Sequence, residues 1–172
     1  MRHPMPTMYI GVDPGASYGI AMQRTGGGDS IPHWDCALET WRGRDWHNAR
    51  AVLVGLRTWF ASQVWRAETN QCVIGCEVWP HAQGSAAHTS HEWAARIEEV
   101  WNLDDIGGDV VCIRVNQSSW KKREGIKPAM TVPMYEALLR QTYRLPATAS
   151  SDEAAAAAIL NYSRWEWESR DD

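Results

Sequence analysis

Residues 71–79, QCVIGCEVW, are apolar at almost every position. Such a run has no polar side to turn toward water, so it predicts a central strand covered on both faces, as in an α/β sheet. A single residue breaks it. Glu77 is an acid near the C-terminal end of the run, where an unpaired buried carboxylate is expensive.

The surrounding sequence supplies the other elements. MYIGVD (8–13) reads as a strand, Pro14-Gly15 as a turn and YGIAMQ (18–23) as a second strand, which predicts a hairpin. TGGGDS (25–30) is a loop, and IPHWDCAL (31–38) reads as a third strand. Leu53, Leu56, Phe60 and Val64 recur at helical spacing and predict a helix over 44–67. A helix near 90–102 carries Trp93, Ile97 and Trp101 on one side. VVCIRV (110–115) is the fifth strand, followed by a basic stretch and a helix over 131–143. SSDEAAAAAILNYSRW opens a last helix, capped by Ser150 or Ser151 with acids in its first turn. The order predicts one α/β domain over 1–172, with an antiparallel hairpin feeding a parallel portion. Its 172 residues are enough for a sizeable core.

Composition narrows the function classes. No apolar run reaches the roughly 20 residues of a membrane span. The opening MRHPMPTMYIG lacks the apolar core of a leader, so a soluble cytoplasmic protein with no membrane partner is expected. The four cysteines form no Cys-x-x-Cys pair and read as buried thiols. His88 and His91 have ligand-like spacing, but no second pair completes a zinc site. The net charge of −4 argues mildly against nucleic acid, yet RVNQSSWKKREGIK (114–127) holds five bases against Glu124 alone. Most of the 11 tryptophans lie among apolar residues and read as core or subunit interface, while a minority can stack on exposed bases.

Three acidic positions stand where strand and helix ends can meet. Asp13 ends the first strand, Glu77 interrupts the fourth, and Asp152 and Glu153 begin the last helix. Taken singly, Asp13 suits a turn and the Asp152-Glu153 pair suits a helix cap. If the first and fourth strands are neighbours, the carboxylates converge and repel one another. A hard divalent cation relieves that repulsion through oxygen ligands. Two such ions about 4 Å apart would form a clamp for phosphodiester hydrolysis.

With these residues the chain resembles the RuvC-like Holliday junction resolvases of the ribonuclease H-like superfamily, especially the small phage-type members. "IGVDPGASYGIA" is similar to that family's opening Asp-Pro-Gly strand, and "VIGCEVWPHAQG" to its second acidic strand. "SSWKK" resembles the Trp-Lys-Lys motif of phage-type members, and "SSDEAAAAAIL" the last acidic helix. The resemblance runs through nearly the whole chain in order. It implies a ribonuclease H-like mixed five-stranded sheet flanked by helices. It also implies metal ligands at Asp13, Glu77 and Asp152, with Glu153 as second choice, holding two Mg²⁺ or Mn²⁺ ions. Lys121 or Lys122 then stands close to the scissile phosphate. Arg114, Trp120, Lys121, Lys122, Arg123 and Lys127 are the expected DNA contacts, with Gln83 near the junction centre. One departure concerns the last helix. Many relatives have two acids a helical turn apart there, whereas this chain has Ala155 and Ala156 at the corresponding places.

The activity so implied is paired, symmetric cleavage of four-way DNA junctions by a homodimer, in the host cytoplasm if the chain is phage-encoded. The Trp93, Ile97 and Trp101 face is the candidate dimer surface, with a plain core helix as the equal alternative. Three other readings compete. One is a monomeric ribonuclease H-like enzyme acting on RNA–DNA hybrid or structured RNA. Another is a non-catalytic DNA-binding module whose acids do not converge. The third is an actin-like nucleotide-binding fragment, for which 172 residues are too few.

Overall fold

A computed structural model describes residues 7–14, 18–25, 39–41, 71–78, 94–95 and 109–170. Strands β1 (Thr7–Asp13), β2 (Tyr18–Thr25), β3 (Glu39–Trp41), β4 (Gln71–Val78) and β5 (Asp109–Asn116) precede helices α1 (Gln117–Arg123), α2 (Val132–Thr142) and α3 (Ser151–Glu168). The mixed sheet runs β3-β2-β1-β4-β5, with β3 as a three-residue edge piece.

The expected hairpin forms: β1 and β2 pair antiparallel, with Asp13 opposite Gly19. β4 lies parallel to β1 in the register Val12↔Cys76, and β5 lies parallel to β4. Strands one and four are therefore neighbours. The sequence predicts a third strand at 31–38. The residues that pair with β2 are Glu39–Trp41, and 31–38 lie outside the described residues. The 44–67 helix also lies outside them, and of the 90–102 helix only Ala94 and Ala95 are described, both helical.

Side chains alternate across the sheet. Tyr9, Gly11 and Asp13 share one face, and the register puts Val73, Gly75 and Glu77 on that same face. Helix α3 packs there. Its run Ala154–Leu160 is wholly buried, and the small alanine side chains let the helix lie close against the strands. The opposite face, with Met8, Ile10, Val12, Cys72, Ile74 and Cys76, is buried as well. This double burial explains why β4 is apolar at consecutive positions. Cys72 and Cys76 are free thiols in this layer, and burial pushes both of them up in pKa.

The basic stretch after β5 folds into α1, which the apolar periodicity did not reveal. Local chemistry accounts for it. The Asn116 side chain caps the helix by accepting from the Ser118 amide at 3.0 Å. The helix stops at Gly125, whose φ of +71° suits the left-handed position after the C-cap. There the Ile126 amide donates to the Lys121 carbonyl at 2.9 Å and the Gly125 amide to the Lys122 carbonyl at 3.2 Å. Among the described residues no helix is long and apolar enough to cross a membrane.

Candidate active site

Asp13 ends β1 one step beyond the Val12↔Cys76 pair, level with Glu77 on the adjacent parallel strand. Period-two alternation puts both carboxylates on the α3 face. The third acid arrives with the start of α3. A Cβ built on Gly19 would lie 1.8 Å from the Asp152 carbonyl oxygen, so only glycine lets that helix end seat on β2 directly opposite Asp13. Desolvation raises the Asp13 pKa well above the usual carboxylate range. The charges of Glu77 and Asp152 push it further up, and Lys121 opposes them. Asp13, Glu77 and Asp152 thus share one electrostatic neighbourhood.

Glu77 is the most deeply placed of the three, at 1 % exposure. Gln117 Nε2 donates to its Oε1 at 3.1 Å, and Trp120 Nε1 donates to its Oε2 at 2.6 Å. Both donors come from α1, one helical turn apart. They compensate the desolvation of the carboxylate and fix its plane.

Trp120 was expected at the DNA surface. Instead it is 1 % exposed and packed in the core, because its ring fills the space beside Ile113, Val115 and α3. Its polar nitrogen is spent on Glu77. Gln117 was not expected in the site at all. A cap at Asn116, followed one residue later by a donor and three residues after that by a tryptophan, is the signal that could have found it.

Glu153 also has a different role from the expected second-choice ligand. Its carboxylate accepts from the Ser150 amide at 2.6 Å, while Ser150 Oγ accepts from the Glu153 amide at 3.2 Å. This reciprocal pair is a capping box at the start of α3. It turns Glu153 back onto the backbone, and Asp152 is the acid of this helix whose charge acts on Asp13.

The two lysines separate in the same way. Lys121 is half-buried and lies over the Trp120 and Tyr135 rings at 5.5 and 5.3 Å from their centroids. Lys122 is exposed. Tyr135, from the first turns of α2, is a further residue that the sequence reading missed. Desolvation raises its phenol pKa, followed by the charges of Glu136, Asp13, Glu77 and Asp152.

The remaining basic candidates are dispersed. Arg123 is exposed and stacks its guanidinium over Trp165 at 4.2 Å. Lys127 is exposed on the turn after α1. Arg114 alternates with the buried Ile113 and Val115 and so stands on the face opposite the acids, beside Cys76. Gln83 and the Trp93, Ile97 and Trp101 face lie outside the described residues.

The donor chemistry fits a hard divalent cation. The charges of Glu77 and Asp152 act on the desolvated Asp13, with Lys121 opposing them, and carboxylate oxygens are the donors such a cation prefers. Among the described residues no three His, Cys, Asp or Glu side chains are grouped closely enough to hold a metal ion.

No protein-family model and no curated protein sequence matches the chain. Solved structures do. The structure of RuvC from Thermus thermophilus is 15% identical, with 91% of each chain covered and a TM-score of 0.57. T. thermophilus RuvC in complex with a Holliday junction substrate is also 15% identical. That match covers 91% of this chain and 90% of the other, with a TM-score of 0.56. The strand order, the helix laid across the acidic face and this near-complete overlap make the fold RuvC-like.

Proposed function

We propose that the chain is a metal-dependent endonuclease that resolves four-way DNA junctions by paired, symmetric phosphodiester cleavage. The observation that carries the reading is the gathering of Asp13, Glu77 and Asp152 on one face of the sheet, with Lys121 as the cation that opposes their charge on Asp13. The fold shared with RuvC, solved in one case with a Holliday junction substrate, supports the substrate class.

Asp13, Glu77 and Asp152 would hold two Mg²⁺ or Mn²⁺ ions, which supply an activated water and stabilise the leaving oxygen. The protein's own part is positional and electrostatic. Gln117 and Trp120 keep Glu77 in one orientation. Lys121, steadied between two aromatic rings, offsets charge that develops on the phosphate. Lys122, Arg123 and Lys127 contact backbone phosphates, which makes binding salt-sensitive and blind to sequence. Two nicks related by two-fold symmetry call for a C2 homodimer.

The deciding experiment is cleavage of an immobile four-way junction with Mg²⁺ or Mn²⁺, beside Asp13→Asn and Glu77→Gln. Paired symmetric nicks from the wild type, lost in both variants while junction binding persists, are the expected result. An intact junction together with a cut RNA–DNA hybrid would transfer the activity to the hybrid. Binding without any cleavage under either metal would remove the enzyme reading.

A further inference from the structure

Beside the acids, α1, the turn after it and the start of α2 enclose a groove of about 620 Å³. Its volume lies within the roughly 300–1,000 Å³ of small-ligand sites. The lining divides by chemistry. Ile126, Met130, Tyr135 and Lys121 are half-buried, while Lys122 and Lys127 are exposed. The groove therefore offers an apolar interior with ammonium groups at its rim.

Gln117 lines this groove and donates to Glu77 Oε1 at 3.1 Å. Whatever fills the groove thus lies beside one of the acids.

From this we infer that the groove receives one unstacked nucleotide of the bound strand, its base against Ile126, Met130 and Tyr135 and its phosphates on Lys121, Lys122 and Lys127. The inference rests on the nuclease reading above and specifies which part of the substrate the surface takes. A continuous duplex keeps its base faces stacked and could meet only the lysines. An apolar interior becomes useful when a base leaves the stack, and that is easiest where stacking is already interrupted, as at a branch point. Aromatic and apolar contact to a base face is tolerant of sequence, and the lysines supply the complementary charge.

The test is photo-crosslinking with the full chain carrying Asp13→Asn, which blocks cleavage. The probes are a four-way junction with 5-iodouracil at each branch-point nucleotide in turn, and a single-stranded oligonucleotide with the same base. The cross-linked peptide is identified by mass spectrometry. The expected peptide spans 126–135. Met130→Glu, which puts a carboxylate into the groove, should abolish that cross-link without changing thermal unfolding. If the second variant does not fold, the peptide map of the first still decides. Cross-links confined to other segments, or none at saturating DNA, overturn the inference. Cross-linking through the groove by a protein whose Asp13-containing form cuts no junction would sink the resolvase reading and leave the groove standing. Junction cleavage with cross-links elsewhere would do the reverse.

Discussion

Trp120 Nε1 donates a 2.6 Å hydrogen bond to Glu77 Oε2 between two side chains that are each 1 % exposed. The tryptophan of the basic segment and the acid of the apolar strand thus form one buried unit. Trp120→Phe keeps most of the ring volume and removes the donor. A hydrogen bond to a charged group contributes about 1.5–3 kcal/mol. Chemical denaturation should show a loss of that order, and nicking should slow because Glu77 loses its fixed plane. Unchanged stability would mean that the bond contributes nothing.

Gly19 leaves room for the first turn of α3 beside Asp13. Gly19→Ala forces the backbone at Asp152 away from β2, at a cost of about 1–3 kcal/mol for an overpacked contact. Cleavage should fall more steeply than stability, because the displaced residue carries the third carboxylate. Thermal unfolding and single-turnover nicking on the same preparation separate the two effects.

The lysines should differ sharply. Lys121→Ala removes the cation whose charge opposes the acids at Asp13, and loss of one such charge-stabilising group lowers the rate by about 10²–10³-fold. Lys122→Ala, at an exposed position, should mainly weaken binding and flatten its salt dependence. Single-turnover rates at saturating enzyme decide between these outcomes, and equal rate losses would refute the assignment.

The raised pKa of Asp13 carries a definite sign. A carboxyl whose folded pKa lies above its unfolded value contributes stability that is fully present below the unfolded pKa. That stability is lost as the pH rises through the folded pKa. Without divalent ions the wild type should therefore weaken across that window, from the ordinary aspartate range upward. Asp13→Asn should not show this loss and should be the more stable protein at neutral pH. Chelator-treated samples melted over a pH series test the sign. Added Mg²⁺ should restore stability to the wild type and do less for the variant.

Ser150→Ala removes one half of the capping box and should cost about 1 kcal/mol while cleavage persists. Glu153→Gln retains an acceptor for the Ser150 amide and should also remain active. A Glu153→Gln protein that folds and binds junctions but cannot cut them would return Glu153 to the ligand set.

How much of this was legible in the chain depended on the range of the interactions. The hairpin, the doubly covered strand and the α3 cap follow from neighbours in sequence, and the structure keeps them. The basic stretch was harder to read. Its charges suggested a solvated surface, whereas Asn116 and Gly125 bound a short helix that turns Trp120 inward. Capping residues reveal that helix, but nothing local says which side of a seven-residue helix meets the core.

The sequence by itself determined the supply of acids and the elements that bear them. Asp13 and Glu77 fall at the ends of apolar strands, and Asp152 falls in the first turn of an alanine-rich helix. Alternation and capping are local rules, so these placements needed no tertiary information. Only the tertiary structure decided which groups meet. The parallel register of β1 and β4 levels Asp13 with Glu77, and the close seat of α3 over Gly19 adds Asp152 rather than Glu153. The packing of α1 gives Trp120 to Glu77 and leaves the charge of Lys121 acting on Asp13. These residues lie far apart along the chain, and what brings them together is the burial of the sheet under α3, whose geometry no local rule contains.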